Sequence, residues 1–206
     1  MIVAIVPAAG LSRRMGRPKP LLEIGGTTLI ARVVRALRGG GADRVVVIAP
    51  PAERAESSEI ARRAEEAGAE VVVLERETPD MRGSIQAGLD CAEAIGGVEA
   101  ILLAHADLPG INAGLVARVI RAGRESAGCL ARPRAGAKRG HPVYLPWAVA
   151  RQIRDLPAGV GVNALVDDRS RTVVGVELDG GDALVDLDTP DDVERWKTGR
   201  SPNSFG

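Results

Sequence analysis

Residues 1–26 read MIVAIVPAAGLSRRMGRPKPLLEIGG, and this stretch decides the fold. The apolar run Ile2–Val6 is typical of a buried first strand, and the small residues Ala8, Ala9 and Gly10 after it indicate a turn. Small residues let backbone N–H groups approach phosphate oxygens, and the cations further along the stretch supply compensating charge. The stretch therefore predicts a buried strand that leads into a loop for a polyphosphate ligand.

Two familiar phosphate-binding loops do not fit this stretch. A P-loop needs Lys directly after its second glycine, whereas here Gly16 is followed by Arg-Pro and Lys19 comes two residues late. A dinucleotide-binding loop needs G-x-G-x-x-G and an acidic residue near the end of the next strand. The loop has no second glycine at that spacing, and the next predicted strand, Arg44–Ile48, leads into Ala-Pro-Pro. Both alternatives are therefore excluded.

The composition is that of one globular domain. The chain has 206 residues, enough for a sizeable core, and its 45% hydrophobic and 26% charged residues separate it from disordered chains. The 27 basic and 27 acidic residues cancel, which argues against a general nucleic-acid or membrane-surface binder. Because aromatic residues make up only 2%, single-stranded nucleic acid would find few side chains to stack on. We expect neither nucleic acid nor a membrane as a partner.

Cysteine usage and the first residues predict a cytoplasmic protein. Cys91 and Cys129 lie far apart without a second pair, so a structural zinc site is not expected and both are interpreted as reduced thiols. The opening apolar stretch is too short for a signal peptide and lacks a basic start. No stretch approaches the ~20 apolar residues of a membrane span.

Strands and helices alternate along almost the whole chain, which predicts an α/β fold with a mostly parallel sheet covered on both faces. We expect one domain over residues 1–198 and a disordered or frayed tail over 199–206. The predicted strands are Ile2–Val6, Arg44–Ala49, Glu70–Leu74, Glu99–Ala104, Cys129–Arg132, Pro142–Leu145, Thr172–Leu178 and Ala183–Leu187. The predicted helices cover residues 30–37, 53–68, 81–95, 115–125 and 148–156, with a last one from Pro190.

The loop after the first strand resembles the signature of the MobA-like nucleotidyltransferases. Residues Pro7–Lys19 match L-A-A-G-x-S-x-R-M-G-x-x-K with one departure, Pro7 in place of Leu. The Ala-Ala-Gly version is similar to the cytidylyltransferase (MocA-type) branch, whereas the guanylyltransferase (MobA-type) branch usually has Ala-Gly-Gly. The resemblance extends from Met1 to about Trp196 with the family's motifs in order.

The resemblance implies a Rossmann-like three-layer nucleotidyltransferase fold and a Mg²⁺-dependent enzyme. The implied reaction transfers CMP from CTP, or a nucleotidyl group from another NTP, to a phosphate-bearing acceptor and releases pyrophosphate. The implied acceptor is molybdopterin (the molybdenum cofactor), with a molybdoenzyme or its chaperone as a further partner. Two alternatives stay open: a sugar- or alcohol-phosphate nucleotidyltransferase, and a non-catalytic nucleotide- or cofactor-binding accessory protein for a molybdoenzyme.

Asp107 follows the fourth predicted strand at the carboxyl edge of the sheet, where open α/β folds bind their ligands. From the residues alone it is equally a cap of the next helix, which the following proline could open, or a metal ligand. The segment Ala106–Pro109 resembles the family's Gly-Asp-x-Pro, with Ala in place of Gly, and this implies that Asp107 binds Mg²⁺. We interpret His105 as a strand-end histidine rather than a catalytic base.

A second acidic segment, Leu184–Asp192, resembles the family's D-x-D-T-P-E-D. Two aspartates at positions i and i+2 of an extended segment point to the same face, and carboxylates suit Mg²⁺. We therefore expect Asp186 or Asp188 to be the second magnesium ligand. Thr189 is the predicted cap of the last helix, with Asp188 as the alternative cap.

The resemblance also implies which residues bind the nucleotide. Lys19 is expected to stabilise charge at the α-phosphoryl oxygens and the leaving group, and Arg14 to hold the β/γ end of the triphosphate. The segment Asp80–Leu89 resembles G-M-x-x-S-L-x-x-G-L, although alone it could be an ordinary capped helix start. The expected nucleotide-binding residues are Ala8, Ala9, Gly10, Leu11, Ser12, Arg82, Ser84 and Gly88.

The acceptor side has one matching motif and one missing motif. Arg139–Val143 matches the family's R-G-H-P-V, which implies that His141 lies at the acceptor side of the cleft. A structural histidine is the alternative, since the proline after it restricts its backbone. Many relatives carry Gly-Asp-x-Gly-Ala-Arg later in the chain, but residues 158–163 read Ala-Gly-Val-Gly-Val-Asn. The identity of the acceptor therefore stays open.

Overall fold

The computed structural model describes residues 1–11, 15–157, 159–168, 170–179, 184–187 and 189–198. Its strands are β1 (Ile2–Pro7), β2 (Glu23–Ile24), β3 (Thr27–Thr28), β4 (Arg44–Ala49), β5 (Glu70–Val73), β6 (Ala100–Leu103), β7 (Leu130–Ala135), β8 (Lys138–Arg139), β9 (Val143–Pro146) and β10 (Val173–Glu177). Its helices are α1 (Leu29–Gly39), α2 (Ser57–Glu66), α3 (Met81–Ile95), α4 (Ala113–Glu125), α5 (Trp147–Ala150), α6 (Asn163–Val166) and α7 (Pro190–Lys197), with 3₁₀ turns at Lys19–Leu21 and Arg151–Asp155.

The central sheet is mostly parallel and has the order β10-β7-β9-β6-β1-β4-β5, with β8 paired to β7. β1 lies between β4 and β6, parallel to both, and all six of its residues are buried. β9 runs antiparallel between β6 and β7. Because β1, β6 and β7 point the same way, their carboxyl ends lie at one edge of the sheet, together with the start of β9.

Helices cover both faces of the sheet, as the sequence predicts. On one face, α1, α2 and α4 pack through residues such as Ile30, Ile60 and Val119. On the other face, α3, α5 and α6 pack through residues such as Leu89 and Leu165. The α/β architecture with a mostly parallel, two-sided sheet is thus confirmed. Within the described residues no helix is long and apolar enough to cross a membrane.

One predicted helix has different bounds in the structure, and one predicted strand is wrong. The helix predicted over Glu53–Gly68 is shorter, Ser57–Glu66, and it has a clear apolar face because Ile60 and Ala64, four residues apart, are both buried against the sheet. The strand predicted over Ala183–Leu187 is absent from its described part, 184–187. Val185 and Leu187 pack in a small separate cluster instead of on the sheet.

The predicted capping of the last helix is confirmed. The Thr189 hydroxyl accepts from the Asp192 backbone N–H, and the Asp192 carboxylate accepts from the Thr189 N–H, which forms a capping box. The predicted tail, 199–206, lies outside the described residues, and the single domain over 1–198 stays a prediction.

Candidate active site

A cavity of about 530 Å³ opens at the carboxyl edge of the sheet. Three chain segments line it: residues 7–11 after β1, residues 77–81 before α3, and residues 105–107 after β6, with Lys19, Pro20 and Ser84 completing the wall. These segments follow β1, β5 and β6, and they meet because β6, β1, β4 and β5 are neighbouring parallel strands. Such an edge is where open α/β folds bind ligands, and it holds most of the residues predicted from the sequence.

Lys19 and Asp107 form an ion pair inside this cavity. Lys19 begins the 3₁₀ turn Lys19–Leu21, and its Nζ donates to Asp107 Oδ2 at 3.0 Å. Their side chains are only 16% and 19% exposed, so solvent screens the pair weakly. The sequence separation of 88 residues is bridged because the phosphate loop and the strand end lie at the same edge. The predicted cation and the predicted metal ligand are thus neighbours.

Asp107 is not a helix cap, which removes one of the two roles that its position allowed. α4 begins at Ala113, and Asn112 caps it by accepting the Leu115 N–H at 2.9 Å. The second carboxylate oxygen of Asp107, Oδ1, is buried and has no hydrogen-bond partner among the described residues. A buried acceptor without a partner is unfavourable by roughly 1–3 kcal/mol, unless a ligand satisfies it.

Three side chains at this edge form a group that suits a divalent cation. His105, Asp107 and Asp186 each offer a ligand atom, and these atoms lie within 4.8 Å of one another. Two carboxylates match the oxygen preference of Mg²⁺, and the imidazole makes Mn²⁺ equally suitable. The unsatisfied Asp107 Oδ1 supports the fit. Asp186 therefore lies where the sequence analysis expected a second ligand, whereas Asp188 lies outside the described residues.

His105 was interpreted from the sequence as a strand-end histidine, and the structure adds it to the metal-binding group. Its ring is backed by His141, with the two ring centroids 3.9 Å apart. The Nδ1 atom of His141 lies 3.1 Å from the Leu103 carbonyl, which fixes the ring behind His105. Loss of hydration, with a smaller effect of His105, lowers the pKa of His141 to about 3, so this ring is neutral at physiological pH.

Arg54, which the sequence analysis missed, braces the phosphate loop. From the segment between β4 and α2, its guanidinium donates to the carbonyls of Ala9 at 2.8 Å and Gly10 at 3.3 Å. It also pairs with Glu56 and lies 3.5 Å from a carboxylate oxygen of Glu77. These contacts hold the loop in one conformation and neutralise carbonyl oxygens that would repel phosphate. Only the tertiary structure brings Arg54 here, so no local motif reveals it.

Of the residues predicted at the start of α3, one lines the cavity and another makes only structural contacts. Ser84 is buried and lines the cavity, as a ribose or base contact requires. The helix start is less open than expected, because the Asp80 carboxylate accepts the N–H groups of Arg82 and Gly83. The Arg82 guanidinium donates to the carbonyls of Leu156 and Pro157, both at 2.6 Å, and does not line the cavity.

Gly88 faces β1 rather than the cavity. A Cβ at this position would come within 2.5 Å of Ile5 Cγ2, so only glycine allows α3 to pack this closely on the strand. Ala8, Ala9, Gly10 and Leu11 line the cavity as expected. Ser12 and Arg14 lie outside the described residues.

Comparison with known proteins shows the family of this chain. Residues 4–173 match the model of the "MobA-like NTP transferase domain". The chain belongs to this family. A protein of Opitutus terrae named "probable molybdenum cofactor guanylyltransferase" is 32% identical over 199 residues, which cover 94% of each chain. A shorter match of 52 residues, 24% of this chain and 23% of the relative, is 52% identical to the 2-C-methyl-D-erythritol 4-phosphate cytidylyltransferase of Rhodococcus jostii.

Solved structures show that the family fold extends over nearly the whole chain. Rv0371c from Mycobacterium tuberculosis superposes with a TM-score of 0.80 at 27% identity, covering 96% of this chain and 98% of that one. A second structure of Rv0371c, a complex with manganese, superposes with a TM-score of 0.74 at 26% identity, with 96% of this chain and 98% of that one covered. The MobA-like assignment and the nucleotidyltransferase fold are thus confirmed.

Proposed function

We propose that this MobA-like enzyme transfers CMP from CTP to the phosphate group of molybdopterin and releases pyrophosphate. The observation that carries the proposal is the cluster at the sheet edge, where the Lys19–Asp107 pair and the His105–Asp107–Asp186 group lie beside the phosphate loop. A cavity with a cation, carboxylates and small loop residues suits a triphosphate and its metal ion. NTPs are made in the cytoplasm, which we propose as the compartment.

The roles of the chain's own groups follow from their charge. An acceptor phosphate oxygen attacks the α-phosphorus, the bond to the β-phosphate bridging oxygen breaks, and pyrophosphate leaves with the electron pair. Lys19 neutralises charge that develops at the α-phosphoryl oxygens and the leaving group. Loop backbone groups from Ala8 to Leu11 hold the triphosphate. Asp107 and Asp186, with His105, would hold a divalent ion, Mg²⁺ or Mn²⁺, which screens the phosphate charges when bound. The manganese complex of Rv0371c supports this assignment.

The choice of CTP rests on the Ala-Ala-Gly loop. The Ala9 methyl group, which is largely buried, narrows the cavity beside the loop, and a pyrimidine needs less space than a purine. The partial match to a cytidylyltransferase supports CTP as the donor. GTP is the second candidate, because the relative that matches along almost its full length is named as a guanylyltransferase.

The choice of molybdopterin rests on the same relative, whose name gives the molybdenum cofactor as its acceptor. A sugar or alcohol phosphate is the rival acceptor, supported by the match to an erythritol-phosphate enzyme. A non-catalytic accessory protein is disfavoured, since a protein that only binds does not need Lys19 and the acidic group together. Delivery of the product would bring the enzyme into contact with a molybdoenzyme or its chaperone.

Pyrophosphate release tests the proposal directly. The four NTPs are crossed with molybdopterin, methylerythritol phosphate and a sugar 1-phosphate, in Mg²⁺ and in Mn²⁺. We expect the highest kcat/KM for CTP with molybdopterin, and loss of that signal in Lys19→Ala. Pyrophosphate release with GTP instead of CTP would identify GTP as the donor. Release with another acceptor instead of molybdopterin would identify that compound as the acceptor. Tight metal–nucleotide binding without turnover in any combination would favour the accessory protein.

A further inference from the structure

Two arginines outside the cavity share a single carboxylate oxygen. Arg132 Nη1 lies 3.2 Å and Arg139 Nη1 2.8 Å from Oδ1 of Asp167. Over the described part of the chain, Asp167 is the only carboxylate within ion-pair distance of either arginine. Each guanidinium has five N–H donors, so one shared acceptor leaves most of them without a protein partner. The cluster keeps one net positive charge.

Arg132 is held in this position at a desolvation cost. Its side chain is only 12% exposed, and its Nε is buried without a hydrogen-bond partner among the described residues. Burial lowers the pKa of Arg132, and the nearby Arg139 adds to this effect. An under-coordinated, partly buried guanidinium is unfavourable unless an anion completes it. Arg139, whose side chain is 59% exposed, is open to solvent beside it.

The arginines lie across β9 from the metal-binding group. Ala131 is in register with Tyr144, which places Arg132 opposite Val143, two residues after His141. His141 in turn contacts His105 of the metal-binding group.

Gly140, which follows Arg139, contacts the segment that carries Asp186. A Cβ on Gly140 would collide with Leu184, so the segment that carries Asp186 packs directly on the turn after Arg139. The cavity and its 77–81 wall lie toward β1, β4 and β5, whereas the arginines lie toward β7 and β10. His105 and Asp107, which follow β6 and line the cavity, are therefore on the side of the cavity toward the arginines.

We propose that Arg132 and Arg139 bind the phosphate group of the acceptor substrate, an inference that rests on the proposed nucleotidyl transfer to a phosphate. Two guanidiniums provide the forked donors that match phosphate oxygens. In-line transfer needs the attacking phosphate and the leaving pyrophosphate on opposite sides of the α-phosphorus. A nucleotide in the cavity and an acceptor phosphate beyond His105 meet that requirement. Asp167 keeps the two arginines together and competes with the phosphate for them.

The test uses inorganic phosphate as the probe, titrated calorimetrically into the protein saturated with Mg²⁺ and the non-hydrolysable α,β-methylene analogue of CTP. We expect saturable phosphate binding to the wild type, weakened at least about 10-fold in Arg139→Gln by the loss of a charge-assisted hydrogen bond. Arg139→Lys keeps the charge without the fork and should fall between them. Asp167→Asn removes the competing carboxylate and should strengthen phosphate binding.

The control is Arg134→Gln. Arg134 is on β7, like Arg132, but it pairs with Glu177 and not with Asp167. The phosphate affinity of this variant should stay within about twofold of the wild type, since screened charges at a distance contribute little. Arg132→Gln serves as a second test, with its fold checked by circular dichroism. Equal phosphate affinity in the wild type and both arginine variants would overturn the proposal.

Two further outcomes would also overturn it. If Asp167→Asn weakened phosphate binding as much as Arg139→Gln, the cluster would be a structural ion-pair network. If Arg139→Gln weakened binding of the CTP analogue as much as binding of phosphate, the arginines would hold the nucleotide's own phosphates. Failure of the proposed function is distinguishable, because the wild type would then release no pyrophosphate with any acceptor, whether or not it binds the metal–nucleotide complex. Phosphate titration of the nucleotide-free protein would still test whether Arg132 and Arg139 bind phosphate.

Discussion

Replacing Asp107 by Asn distinguishes a metal-binding role of Asp107 from a purely structural role. The amide oxygen of Asn can still accept the 3.0 Å hydrogen bond from Lys19, so the fold keeps this contact. The amide nitrogen would occupy the place of an oxygen, and two of its properties oppose a cation: it has no negative charge and it presents N–H donors. The change therefore removes metal binding while keeping size and shape.

The structure allows both effects to be estimated. In the variant the charged Lys19 ammonium still donates, now to a neutral amide oxygen, so the fold loses only part of the ~1.5–3 kcal/mol of a charge-assisted hydrogen bond, about 1 kcal/mol. For a domain of this size that lowers Tm by only about 2–4 °C. Loss of one preorganised charge in the site weakens its function by about 10²–10³-fold, or about 2.7–4 kcal/mol. The functional loss should thus exceed the loss of stability several-fold.

The assay is Mn²⁺-dependent binding of CTP, followed by calorimetry, together with thermal unfolding of the same samples. The matched control is Asp43→Asn: Asp43 Oδ2 accepts the Ile2 N–H at 2.6 Å, at the opposite edge of the sheet. The control should lose some stability and keep its metal–nucleotide affinity. Unchanged affinity in a folded Asp107→Asn variant would show that Asp107 binds no metal.

Three other predictions concern the cation, the base and pH. Lys19→Ala should keep the fold and lower the rate of pyrophosphate release by about 10²-fold or more, since one preorganised charge is lost; near-normal rates would remove Lys19 from the mechanism. Ala9→Gly should relax a 10–200-fold preference for CTP over GTP, roughly the effect of one methyl-sized contact, and equal wild-type kcat/KM values would show that the loop does not select the base. Hydrogen bonding by Arg124 holds the pKa of Glu99 below its usual value, so the pair's stabilisation is complete above about pH 4.3 and is lost as pH falls through the lowered pKa. Denaturant unfolding should therefore show Glu99→Gln to be less stable than the wild type by under about 1 kcal/mol at pH 7, with a difference that vanishes in acid.

The parts of the fold that the sequence predicts are those encoded locally. The uninterrupted apolar run of β1 can only be a strand buried on both faces, and all its residues are buried. The Thr189 cap could be predicted because its partner lies three residues away. Residues 184–187 also have an apolar pattern, but a strand needs a neighbouring strand to pair with. Those side chains find a separate apolar cluster instead, which their pattern cannot reveal.

The residues of the candidate site also fall into those encoded locally and those that depend on distant segments. Asp107 was placed by its position at a strand end, and its partner Lys19 by the loop motif, so their meeting follows from the parallel order of β1 and β6. Arg54 was missed and His105 was interpreted only as a strand-end histidine, since their contacts depend on neighbours that distant segments supply. Gly88 shows the opposite error. The motif implied that Gly88 binds the nucleotide, but in the structure Gly88 lets α3 approach Ile5 of β1.

The pairing of Lys19 with Asp107 couples the two halves of the donor site. In the structure Lys19 neutralises Asp107, the proposed metal ligand, and Asp107 neutralises Lys19, the proposed phosphate-binding cation. A metal bound alone at Asp107 Oδ1 would place added positive charge beside Lys19, and a triphosphate bound alone would place added negative charge beside Asp107. Only the metal–nucleotide complex supplies both a cation for Asp107 and an anion for Lys19. The ion pair therefore favours joint binding of metal and nucleotide over binding of either one alone.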